Sequence, residues 1–160
     1  MKQCNGSTTI LIVWVDDIIV SAVNERELNS IKNALFNRFN MKDLGQINYF
    51  LGIEFNVQKE SIKMSQKMYI DKILNKFGMT ECCPKPIPCD QSICKSYDHE
   101  SKPLDDNRIY REIVGSLIYL MSSTRPDICY TVCKLSTKLN CPTHADLNLA
   151  KHVLKYLKGT

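Results

Sequence analysis

Two aspartates, Asp16 and Asp17, stand between two short apolar runs, and this limits what the first part of the chain can fold into. Residues 8–15 and 18–23 are rich in Val, Ile, Thr and Trp, the side chains that suit a half-buried pleated surface. Each run is too short for a helix. Joined by two polar residues, they read as a β-hairpin with the carboxylates at its tip.

Adjacent carboxylates repel each other and resist desolvation, so a fold gains nothing from them by default. Three readings stay open on the residues alone. Hard oxygen ligands suit magnesium, and in two-metal phosphoryl transfer such carboxylates hold the ions that activate the attacking hydroxyl and stabilise the leaving group. A solvated turn is the plainer alternative, since aspartate is a common turn residue. The third is a phosphoacceptor receiver site, in which an acidic pair ends a parallel strand. The immediate return run Ile18-Ile19-Val20 argues against that, because a doubly wound sheet needs a loop and helix there.

The rest of the chain alternates before turning helical. Asn24, with Glu27 three residues on, forms a capping-box pattern. Leu28, Ile31, Ala34, Leu35 and Phe39 then recur at helical spacing, predicting an amphipathic helix over 25–39. Residues 47–57 return to strand chemistry, and a polar turn at Lys59-Glu60-Ser61 leads into a short strand at Ile62-Lys63-Met64, a second hairpin. A helix from about Gln66 carries Tyr69, Ile70, Ile73, Leu74 and Phe77 on one side and ends at Gly78. Residues 80–104 hold Pro84, Pro86, Pro88 and Pro103 without periodicity, and are expected to be a linker at a subdomain boundary.

Beyond the linker the pattern is helical. One helix is expected over 110–121, a second opening at Pro126 and running to about Leu139, and a third opening at Thr143 with Asp146 as its capping partner. Lys151, Lys155 and Lys158 line the side of the last helix opposite its apolar stripe, which suits either phosphate tracking or an ordinary solvated face. Arg125 beside Pro126 suits a hydrogen-bonded helix–helix corner. Gly52 and Gly115 read as packing or bulge positions, and His99, His144 and His152 have no partner at catalytic spacing.

Composition narrows the class without choosing a function. The 44% hydrophobic and 24% charged fractions describe a folded globular chain. No apolar run nears the roughly 20 residues that span a bilayer, and the start lacks a secretory signal, so an intracellular, non-secreted protein is expected. Eight cysteines then suggest free thiols. None forms a C-x-x-C pair, which argues against zinc, and Cys129 with Cys133 suits two buried small apolar residues on one helix face. Residues 1–60 carry six Lys/Arg against seven Asp/Glu, and residues 61–160 carry fifteen against ten. That split accommodates a carboxylate site beside a polyanion-tracking surface, though ordinary surface variation gives as much.

Ordered motifs add a resemblance. The stretch Val13-Trp14-Val15-Asp16-Asp17-Ile18-Ile19-Val20 looks like the YxDD hairpin of reverse transcriptases. Phe39-Asn40-Met41-Lys42-Asp43-Leu44-Gly45, Tyr49-Phe50-Leu51-Gly52-Ile53-Glu54, Met64-Ser65-Gln66, Tyr110-Arg111, Thr124-Arg125-Pro126-Asp127 and Leu154-Lys155-Tyr156-Leu157-Lys158-Gly159-Thr160 follow in the order seen in copia-type retrotransposons. The resemblance covers nearly the whole chain. It implies an α+β fold: a partial right-hand polymerase palm over 1–65, a first thumb helix over 66–79, the linker over 80–104, and a helical thumb or connection over 105–160.

The same resemblance implies RNA-directed DNA polymerisation by two-metal nucleotidyl transfer. Asp16 and Asp17 would be two of three catalytic, magnesium-binding carboxylates. Trp14, Tyr49, Phe50, Leu51 and Gly52 would lie near the primer end, and Lys151, Lys155 and Lys158 along the nucleic-acid backbone. The implied partners are an RNA or DNA primer–template, deoxynucleoside triphosphates, and the palm, fingers and RNase H segments of the same polyprotein, in a cytoplasmic virus-like particle or nucleus. Trp14 departs from the family's Tyr; its indole lacks the hydroxyl and would be expected to crowd the primer terminus. The chain opens just before the hairpin, so fingers and third carboxylate are expected to be missing and the chain inactive alone. The competing expectations are a non-catalytic nucleic-acid-binding remnant and a degenerate product without function.

Overall fold

The computed structural model describes residues 2–4, 7–89 and 101–160, and the chain divides into two compact units, Met1–Ile47 and Asn48–Thr160. The architecture is α+β, with two three-stranded antiparallel sheets and five α-helices among the described residues.

In the first unit, β1 (Lys2–Cys4), β2 (Ser7–Trp14) and β3 (Asp17–Ser21) pair in sequence order, and α1 (Glu25–Phe36) follows. Asn24 caps α1 as its sequence suggests, its side chain accepting from Glu27 N at 2.8 Å. Only that half of the capping box forms: Glu27 Oε2 is sheltered with no partner. The helix stops at Phe36, short of the expected residue 39. No residue of this unit whose exposure is described is buried. Register puts Ile10, Ile12 and Trp14 on one face of β2 and Leu11 and Val13 on the other, and all five are exposed.

The second unit has a true core. β4 (Tyr49–Phe50), β5 (Ile53–Val57) and β6 (Ile62–Ser65) form a meander leading into α2 (Lys67–Lys76). After the proline-rich stretch come α3 (Arg108–Ser123), a single 3-10 turn (Pro126–Ile128), α4 (Cys129–Ser136) and α5 (His144–Lys158). Tyr110, Ile113, Val114, Leu117 and Leu120 give α3 a fully buried stripe. It shares one apolar cluster with Val132 and Leu135 of α4, Leu149, Val153 and Leu154 of α5, and Ile73 and Leu74 of α2. The Tyr110 hydroxyl enters this core because it donates to Leu135 O at 2.7 Å. Burial, with Asp146 nearby, drives its pKa far above the ordinary tyrosine value.

Three expectations are corrected. The compact units divide between Ile47 and Asn48 rather than in the proline-rich segment, because the ends of that segment are tied down. Lys85 N donates to Lys155 O, His152 Nε2 meets Ile87 O at 3.0 Å, and Leu104 N donates to Pro142 O at 2.9 Å. The middle of the segment lies outside the described residues. Second, the run 47–57 is not one strand: it folds back at Leu51-Gly52, where φ is +50° and +78°. Third, the helix after Pro126 begins as the 3-10 turn and ends at Ser136, before residue 139.

The Leu51-Gly52 turn is held from a distance. The Tyr119 hydroxyl, on α3, donates to Leu51 O, and Tyr69 of α2 packs edge-on against the Tyr119 ring at 4.8 Å. A Cβ on Gly52 would collide with that hydroxyl, whereas one on Gly78, also at positive φ, would meet nothing. Gly52→Ala should therefore lower stability by about 2–3 kcal/mol and Gly78→Ala by only about 1 kcal/mol. Urea denaturation checks this, and adding Tyr119→Phe should recover part of the Gly52→Ala loss but none of the Gly78→Ala loss.

Candidate functional site

The β2–β3 register sets the geometry of the carboxylate tip. Trp14 pairs with Asp17, so the two-residue turn is Val15-Asp16, not Asp16-Asp17 as the polarity of the sequence suggests. Asp16 occupies the turn, and Asp17 opens β3 on the face that carries Trp14, Ile12 and Ile19. Two-residue hairpin loops need a left-handed residue to match strand twist. Here it is Val15, at φ +52° and 83% exposed. A β-branched residue in that region is an outlier of the kind that concentrates at functional sites.

Neither carboxylate has a hydrogen bond or ion pair among the described residues, and both are exposed. Their oxygens are free to take a hard cation, the donor chemistry that magnesium requires. Two carboxylates would fill only part of its coordination sphere, and among the described residues no group of three or more His, Cys, Asp or Glu could hold a metal ion.

The other sequence-derived candidates separate into groups. Tyr49, Phe50, Leu51 and Gly52 lie together at the β4–β5 turn, in the second unit, whereas Trp14, Asp16 and Asp17 lie in the first. Glu54, next on β5, accepts from Met68 N at 3.2 Å and so ties this hairpin to the first turn of α2. Lys151 and Lys158 are exposed on α5 and Lys155 is half-buried; Lys158 Nζ donates to Cys82 O at 2.8 Å. Cys129 and Cys133 bring their sulfurs to 3.8 Å on α4, but both are exposed, against the expectation of buried residues. Cys82, Cys83 and Cys141 are also free, while Cys89 is disulfide-bonded, contrary to thiols throughout.

Sequence reasoning overlooked Tyr119 and Gln66, since neither breaks the helical pattern around it. Arg125 was legible only as a corner residue, and it does hold one. Its guanidinium forms two hydrogen bonds with Asp127, donates to Thr160 Oγ1 at 2.6 Å, and lies 5.4 Å from the Tyr156 ring centroid.

Similarity to known proteins decides the family. Residues 1–91 match the family described as "Reverse transcriptase (RNA-dependent DNA polymerase)". The chain belongs to it. It is 39% identical over 150 residues to an uncharacterized mitochondrial protein of Arabidopsis thaliana, covering 94% of this chain and 61% of that protein. Over 158 residues it is 38% identical to the retrovirus-related Pol polyprotein from transposon RE1 of Arabidopsis thaliana, covering 99% of this chain and 11% of the polyprotein. The Pol polyprotein from transposon TNT 1-94 of Nicotiana tabacum is 31% identical over 159 residues, with 94% and 12% covered. This is a copia-type reverse transcriptase sequence, and it spans under two thirds of these relatives. No solved structure matches it. No helix among the described residues is long and apolar enough to cross a membrane.

Arg125, followed by the Tyr156 hydroxyl, holds the Asp127 carboxyl below its ordinary value of 3.8 against the opposing effect of burial. A carboxyl depressed in the folded state stabilises it above the unfolded pKa, and that contribution is lost as pH falls through the folded value. Asp127→Asn should therefore destabilise the chain at neutral pH, with the gap to wild type closing only below about pH 4. Urea midpoints measured across that range provide the check.

Proposed function

We propose that this chain is the hairpin and helical part of a polymerase that extends a primer on an RNA or DNA template by two-metal nucleotidyl transfer. The observation that carries the reading is the β2–β3 hairpin: a strained tip bearing two unpartnered carboxylates, in a chain of the reverse transcriptase family. Asp16 and Asp17 would hold magnesium with a third carboxylate from another segment. The metal, when bound, supplies the charge that lowers the pKa of the primer hydroxyl and stabilises the departing pyrophosphate.

The chain's own residues fit the remaining roles. Residues 1–65 correspond to part of a palm, and 66–79 with 105–160 to a thumb and connection. Trp14 beside Asp17 would set the primer end against the carboxylates. The turn from Tyr49 to Gly52 would press on the primer backbone, its rigidity supplied by Tyr119 and Glu54. Lys151, Lys155 and Lys158 would follow backbone phosphates, which carry most of the contacts in such interfaces. A hairpin apolar on both faces, with no buried side chain, fits a strand pair that is covered when palm and fingers segments of the same polyprotein are present. Deoxynucleoside triphosphate binding and RNase H action belong to those other segments.

A second reading, a binding element without catalysis, is favoured by the lack of a third metal ligand among the described residues. One set of assays separates the two. The chain alone should give no primer extension; joined to the preceding polymerase portion of the transposon RE1 polyprotein, it should extend a primer. Asp16→Asn or Asp17→Asn should lower that rate by about a hundredfold or more. Extension unaffected by either substitution would contradict the catalytic assignment. The binding-only reading instead expects no extension from the joined protein, with duplex affinity indifferent to Asp16→Asn and to chelation. Under both readings Lys151→Glu with Lys155→Glu should reduce the salt slope of duplex binding by about two units.

A further inference from the structure

In the second unit, the β6–α2 junction, the C-terminal end of α3 and the end of α5 line an open cleft of about 450 Å³. Its lining includes Gln66, Lys67, Thr124, Arg125 and Lys158, three of them cationic, with Asp71 and the terminal residue Thr160 as the acidic counterweight.

Two donors on this wall lack acceptors. Gln66 is 2% exposed; its Oε1 accepts from Thr124 Oγ1 at 2.7 Å, but its Nε2 has no partner. A sheltered amide donor without an acceptor carries a desolvation cost that a native site normally relieves. The Arg125 side chain is 15% exposed. Asp127 takes its Nε and Nη2, Thr160 also takes Nη2, and among the described residues nothing takes Nη1. The pair with Asp127 and the contact with Tyr156 hold the guanidinium in place, so a ligand would meet a preorganised fork. Lys67 and Lys158 are exposed beside them, and Lys158 is steadied by Cys82 O.

We propose that this cleft is a phosphate site. A ligand seated against the wall places oxygens on Arg125 Nη1 and Gln66 Nε2 while Lys67 and Lys158 neutralise its charge. A phosphate oxyanion, with more acceptor oxygens than a carboxylate, suits this set of several donors, and the volume leaves room for a sugar beside it. The phosphate belongs either to a nucleic-acid backbone or to a free mononucleotide. The backbone source rests on the polymerase reading above; the site itself does not.

The test is a titration of the full, nitrogen-15-labelled chain with inorganic phosphate, followed by proton–nitrogen correlation spectra. The Gln66 side-chain amide, the Arg125 Nε–H and the Lys67 amide should shift saturably together. Lys67→Glu with Lys158→Glu, both exposed, should weaken that affinity about tenfold, while Lys138→Glu elsewhere on the surface leaves it unchanged. A primer–template duplex that moves the same signals and competes with phosphate identifies the backbone as the source. A mononucleotide that does so while the duplex does not identifies small phosphates. No saturable shift at Gln66 and Arg125, or equal affinity in the reversed-charge variant, overturns the site. Salt-dependent duplex binding that spares these signals while phosphate still moves them overturns the backbone source alone, and leaves both the site and the polymerase reading standing.

Discussion

The buried stripe of α3 is the constraint on which the second unit depends. Tyr110, Ile113, Val114, Leu117 and Leu120 recur at helical spacing and are all fully enclosed by α2, α4 and α5. With that helix fixed, Tyr119 projects from its flank to hold the Leu51-Gly52 turn. Thr124 and Arg125, just past its end, place the Gln66 amide and the Asp127 pair. The features offered as functional in this unit are thus consequences of one packed helix. They sit on a rigid support, as sites that need exact spacing must.

The first unit lacks such a support. Its strands read as the two-sided apolar kind that a sheet normally covers on both faces, yet none of its described side chains is buried. A three-stranded sheet with one helix and no core is marginal by itself. Strain at Val15 adds to the deficit. These properties are liabilities in an isolated element. In a polymerase they become useful once other segments cover the faces, because the exposed tip then presents two carboxylates from a fixed turn.

Much of this was readable in the sequence, because local chemistry set it. Asn24 and Thr143 cap the helices they precede, and Asp146 completes the capping box of α5. The apolar stripes placed the core correctly, and the acidic pair marked the tip. What escaped was decided by partners far along the chain. Leucine at positive φ has no local signature, so the Leu51-Gly52 turn shows only once Tyr119, 68 residues away, is seen to bind it. The tip slipped by one residue because valine is a poor turn former, and cross-strand pairing rather than propensity fixed the register. Prolines suggested a boundary at 80–104, but backbone bonds to α5 and the loop before it hold both ends of that stretch within one unit. The Arg125 cluster joins residues 125–127 to residues 156–160, and the sequence marked Arg125 as a corner without showing which partners it would hold.

Residues 48–160 carry their own core, whereas no side chain of the first unit whose exposure is described is buried, so the two should differ in stability. Amide hydrogen exchange on the chain alone tests this most directly. Deep protection is expected at Ile113, Leu117, Val132 and Val153, with Leu11, Val13 and Ile19 exchanging orders of magnitude faster, near the rate of local opening. Protection of the β2–β3 amides equal to that of α3 would contradict it, showing that the hairpin carries its own stability and needs no partner segment.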